Sequence, residues 1–171
     1  MHSSPLTALC PAAAVSETWT PPSPRPYLRP KGHAGSGGER RLALSLTLPG
    51  DIRSARIARA AAVAALETRG LNPYVWPVTH AVTELVAVAA GMSPGRELYV
   101  SLRHREDAVR LLVWDQHRHH AAPDLAAVCE TRRRRALWLL AAITDDWGGE
   151  WGMGEAPQPQ WGTKSWVMLP R

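Results

Sequence analysis

Residues 42–48 read LALSLTL, which sets Leu42, Leu44, Leu46 and Leu48 on one side and Ala43, Ser45 and Thr47 on the other. Successive side chains of an extended chain leave opposite faces, so this alternation is a strand with one face to cover. The period then changes at once. Past Pro49 and Gly50 the chain continues as DIRSARIARAAAVAALETRG, with Asp51 placed to cap a helix start, an alanine-rich body of high helix propensity and Gly70 placed to stop it. A strand that feeds straight into a helix points to a sheet covered by helices.

The same reading carries on downstream. Pro73 and Pro77 restrict the next helix to a start near Trp76, because proline is tolerated in a first turn and costs a hydrogen bond in the interior. The helix is expected over Pro77–Ala90, ending at Gly91. ELYVSLR and AVRLLVWD alternate again and are joined by HRED, the pattern of a hairpin. A loop, QHRHHAAPD, leads into a segment whose later part is a helix closed by Gly148 and Gly149, and EWGM and TKSWVML are two last strands. Adjacent strands interrupted by helices predict an α+β fold: a two-layer sandwich of a mixed, largely antiparallel sheet with helices on one face.

Residues 1–39 have a different character. Seven prolines between Pro5 and Pro30, and then GHAGSGG, leave few large aliphatic residues to bury, so a disordered arm that folding does not need is expected there, followed by one domain over 40–171. Of the 20 basic residues only Lys31 and Lys164 are lysines, which fits a GC-rich coding bias, and a net charge of +5 favours solubility more than nucleic-acid binding. Even TRRRR, residues 131–135, lacks a recognisable reading module around it, so nucleic acid is not an expected partner. Cys10 and Cys129 are too few and too distant to read as a disulfide framework or a zinc knuckle. No membrane span or secretory leader is visible, so the expected location is cytoplasmic.

One carboxylate interrupts the apolar helix THAVTELVAVAAGM. At 100° per residue Val75, Val78, Val82, Leu85, Val86 and Ala89 gather on one side, while His80, Glu84, Ala87 and Val88 share the other. Taken alone, Glu84 would pair weakly with His80 one turn earlier.

The element order, TELVAVAAGM from Thr83, LLVWDQ, RRAL, DDWG and TKSWV together resemble the GHKL (histidine kinase/Hsp90-like) ATPases, and in particular the anti-sigma-factor serine kinases of bacterial regulation, over roughly residues 42–170. The resemblance implies a Bergerat-type ATPase fold and ATP as a ligand. It places Glu84 as the general base, Asp115 on the adenine amino group and Ser165 beside the adenine. Val88 stands where the family has its magnesium-binding Asn, so magnesium, and any protein-held metal, is not expected. Arg134 and Ala136 stand where glycine amides would cradle phosphate, and a Cβ hinders such a loop. The implied protein is a degenerate member that regulates by binding a sigma factor or an anti-sigma-factor antagonist, with a homodimer open. The alternative is an active ATP-dependent serine/threonine kinase that phosphorylates such an antagonist.

Three further expectations follow from the residues. Arg132–Arg135 are read as a helix start, where cations are disfavoured, so Arg134 or Arg135 is expected to reach Glu84, Asp115 or Asp124 and cover the phosphate site. His117, His119 and His120 invite a metal reading, but neighbouring loop side chains have no assured convergence and no second cluster at ligand spacing completes a site. Trp138, Trp147, Trp151, Trp161 and Trp166 are expected in the core.

Overall fold

The computed structural model describes residues 9–10, 42–156 and 161–171. β1 (Leu42–Pro49) turns into α1 (Ser54–Thr68), and a short 3-10 turn at Asn72–Tyr74 leads into α2 (Val75–Met92). The hairpin β2 (Glu97–Arg105) and β3 (Ala108–Asp115) follows, then α3 (Pro123–Ala136), α4 (Trp138–Asp146), β4 (Glu150–Glu155) and β5 (Thr163–Pro170). The five strands form one sheet in the order β1-β2-β3-β5-β4, and every pairing is antiparallel. The fold is α+β, as the alternating runs require, with a sheet that is antiparallel throughout.

Local chemistry explains the junctions. Asp51 does not cap α1 directly; its carboxylate accepts the Arg53 backbone N–H at 2.8 Å, a tight turn before the helix begins at Ser54. At the other end Leu71 N–H reaches Leu66 and Gly70 N–H reaches Glu67, a closing pattern that sets Gly70 at φ 65, where glycine has no Cβ penalty. The β2–β3 turn is two residues, Glu106 and Asp107, both left-handed at φ 50 and 58. That is the twist a right-handed hairpin favours, here adopted without glycine.

The core lies between the sheet and α2. Leu98, Val100 and Leu102 of β2, Val109, Leu111 and Val113 of β3, and Val167 and Leu169 of β5 all face Val78, Val82, Leu85, Val86 and Ala89 within one buried cluster. Each fully buried leucine contributes on the order of 2 kcal/mol. α2 is covered by more than the sheet, because α1, α3 and α4 also pack on it. Val88, expected on the open side with Glu84, is therefore buried too.

Among the described residues one segment, Asn72–Met92, is long and apolar enough to cross a membrane, but it is the central helix of the body and over half of its most apolar window is buried there. Of the five C-terminal tryptophans expected in the core, Trp147 and Trp151 pack against it while partly buried, whereas Trp138 is 68% exposed because α4 turns only Leu140, Ile143 and Thr144 inward. The expected arm lies almost wholly outside the described residues. Leu9 and Cys10 are the exception: Leu9 N–H donates to the Gly91 carbonyl at 3.0 Å, and Cys10 is buried.

Candidate functional site

β3 ends at Asp115, and β5 pairs beside it so that Ser165 lies opposite Val113 on the same inward face. Asp115 is wholly buried, and Arg133 of α3 grips both of its oxygens, Nη1 at 2.6 Å and Nη2 at 3.2 Å. The same Nη1 donates to Ser165 Oγ at 3.4 Å. Ser93, just past the end of α2, and the His117 backbone N–H complete the set on Oδ1 at 3.3 and 2.9 Å. Both charges are out of water, so the pair persists because its hydrogen bonds are satisfied on all sides.

The sequence expectations divide here. Asp115 and Ser165 do meet, but the cation between them is Arg133. Arg134 instead pairs with Glu130 on the exposed side of α3 at 2.9 Å, and Arg135 is exposed. The reason is helix phase: the arginine run ends α3 instead of starting a helix, so the macrodipole favours it, and only Arg133 falls on the buried stripe. Glu84 sits nine residues before Ser93, about 13 Å along the helix axis at 1.5 Å per residue, and does not join this cluster. Partial burial pushes its carboxyl pKa up, and nearby His80 opposes this. The His80 ring packs at a tilt against Trp76, 4.8 Å between ring centres, and among the described residues Glu84 has no hydrogen bond to it.

Next to the ion pair lies a second group that sequence reasoning kept apart. Cys10 Sγ, His120 Nε2 and Cys129 Sγ form a triangle with sides of 3.3, 3.1 and 3.3 Å. One nitrogen of His117 joins them, and all four ligand atoms lie within 4.8 Å of one another. Burial and the Arg133 charge pull the His117 imidazole pKa down to about 4, against the pull of Asp115, so it is neutral at physiological pH. Burial, then the Cys10 thiol, pushes the Cys129 thiol up to about 11. His119 turns outward and bonds Glu155 at 2.8 Å.

Compared with known proteins, the chain matches no family model and no curated protein. A cavity of about 150 Å³ opens between the 116–120 loop, α3 and the β4–β5 edge, bordered by His117, Cys129, Arg133, Met153 and Thr163. Pockets that hold cofactor-sized ligands run to roughly 300–1,000 Å³. At Asp115 an incoming amino group meets a carboxylate whose two oxygens are already taken. The arrangement can hold two protein segments together and present two thiols and two imidazoles to one point.

Proposed function

We propose that this chain is a non-catalytic regulator, similar to the anti-sigma-factor serine kinases and built on a Bergerat-type ATPase scaffold. It acts in the bacterial cytoplasm by binding a partner protein, a sigma factor or an anti-sigma-factor antagonist by that resemblance. The observation that carries the reading is the Arg133–Asp115 pair. The carboxylate that would accept the adenine amino group is neutralised from within the chain, and the neighbouring cavity bordered by His117 and Arg133 measures about 150 Å³, below the roughly 300–1,000 Å³ of pockets that hold cofactor-sized ligands. Val88, buried in the core, offers no lone pair for magnesium, and phosphoryl transfer relies on that ion to offset developing charge.

Calorimetric titration of the full chain with ATP and magnesium tests the catalytic side, and the expected result is no binding at millimolar nucleotide and no labelled phosphate on added sigma factors or antagonists. Micromolar ATP affinity or phosphate transfer would replace this reading with that of a working kinase. Binding to purified sigma factors and antagonists of the same genome, measured without nucleotide, tests the partner side.

A further inference from the structure

Hydrogen bonding alone does not account for the cluster beside Asp115. His120 Nε2 carries one proton at most, yet it stands between two thiols at 3.3 and 3.1 Å. His117 Nε2 is buried with no hydrogen-bond partner among the described residues, and a buried ring nitrogen left unpaired is costly. Four soft or borderline donors converging on one point suit a tetrahedral cation: Zn–S bonds near 2.3 Å and Zn–N bonds near 2.0–2.1 Å imply ligand-to-ligand edges of about 3.3–3.8 Å. Three edges, two S–N and one S–S, lie at 3.1–3.3 Å. They are a few tenths of an ångström inside the roughly 3.6 and 3.8 Å that those bond lengths imply. The rest lie within 4.8 Å, so small side-chain movements complete the shell.

We propose that Cys10, His117, His120 and Cys129 bind one Zn²⁺ ion in a structural site. Two thiolates and two neutral imidazoles balance the ion's charge, so the buried centre is neutral overall, and binding releases the two thiol protons to solvent. Thiolate with imidazole in a tetrahedral set selects zinc over the oxygen-seeking cations, and four protein ligands leave no open position for a reacting water.

The surroundings are arranged to hold these donors. Arg133 lies one helical turn after Cys129, and Asp115 lies two residues before His117, so their ion pair fixes α3 against the loop that carries both histidines. Arg132 Nη1 donates to the Leu9 carbonyl at 3.3 Å, and Leu9 N–H is held by Gly91, which brings Cys10 to the third side. Such outer contacts set ligand orientation in metal sites. A Cys10–Cys129 disulfide is the competing use of the two sulfurs, but it would leave both imidazole nitrogens without partners.

The test uses the untagged full chain purified under reducing conditions and measured for metal content. The expected result is one zinc per chain, with Co²⁺ in its place giving thiolate charge-transfer and tetrahedral d–d absorption. Cys10→Ser and His117→Ala should each lose stoichiometric metal, with affinity at least ~100-fold weaker. Cys10→Ser lies outside the strand and helix body, so circular dichroism should show it folded. His119→Ala, which removes a neighbouring histidine outside the shell, should keep the metal. The proposal is overturned by folded protein that carries no zinc above background after loading and dialysis. It is equally overturned by zinc retained in both ligand variants, or by thiol trapping in cells that recovers Cys10 and Cys129 as a disulfide.

Discussion

Asp115 receives four hydrogen bonds from three directions, and two of them come from one guanidinium that is 3% exposed. Removing one member of such a pair strands the other charge, at about 3–5 kcal/mol, whereas replacing both with uncharged groups is far milder. Arg133→Met is therefore expected to lower unfolding free energy by that amount in chemical denaturation. Arg133→Met combined with Asp115→Asn should recover most of the loss. Equal losses in the two variants would show that the ion pair is not the source. Asp115 was legible in the sequence as a strand-end carboxylate, but Arg133 was not: four consecutive arginines carry the same chemistry, and only helix phase picks one. Glu84 makes the opposite case. Burial raises its pKa, so the folded state holds the proton more tightly than the unfolded chain does. That shift favours folding at low pH and opposes it once the pH passes the raised value. Glu84→Gln should thus melt higher than the parent at pH 8, with the gap closing as the pH falls toward the ordinary value of 4.5. A variant that melts lower at pH 8 would mean that the charged carboxylate has a stabilising partner.

Strands and helices were legible because their periods differ and because proline, glycine and alternation mark their ends. β1, the β2–β3 hairpin and β5 fall where the alternation put them, and α2 extends only two residues beyond each expected end. The break between α3 and α4 was not legible. No proline or glycine marks it: Leu137 simply leaves helical geometry at φ −97 and ψ 22, and its side chain is fully buried. α3 begins at Pro123, with proline in its first turn, so the arginine run expected at a helix start falls instead in the last turn of α3. The hairpin offers a direct test of element-level strain. Glu106 and Asp107 occupy left-handed backbone that costs a residue with a Cβ roughly 1–2 kcal/mol, while Asn-Gly adopts it readily. Glu106→Asn with Asp107→Gly should stabilise the protein by about 1 kcal/mol, after glycine's larger unfolded-state entropy offsets part of the gain. The Tyr74 hydroxyl, which donates to the residue 107 backbone carbonyl at 2.9 Å, keeps its acceptor in this variant. Denaturation midpoints that fall instead would show that the Asp107 side chain, 3.9 Å from Arg171, matters more than the backbone strain.

At the scale of the whole chain, the question is what holds residue 10 against a body that begins at residue 42. Closing a loop of about thirty residues costs roughly 3 kcal/mol, and burying one cysteine with part of a leucine returns about the same. By packing alone the contact is marginal. A metal ion changes the balance, since structural zinc sites of this donor type bind with apparent free energies of about 10–16 kcal/mol. No local pattern in the sequence could show this, because Cys10 and Cys129 stand 119 residues apart and a tertiary contact alone unites them. The consequence is a three-way comparison by thermal melting. The zinc-loaded full chain should melt well above both the chelator-treated full chain and a chain starting at Glu39, and the last two should melt within a degree or so of each other. If the truncated chain matches the zinc-loaded protein, the first ten residues do not contribute to the fold and the site lacks its Cys10 ligand. If the truncated chain melts far below the chelated full chain, Leu9 and Cys10 act by packing, and the loop-closure argument is wrong.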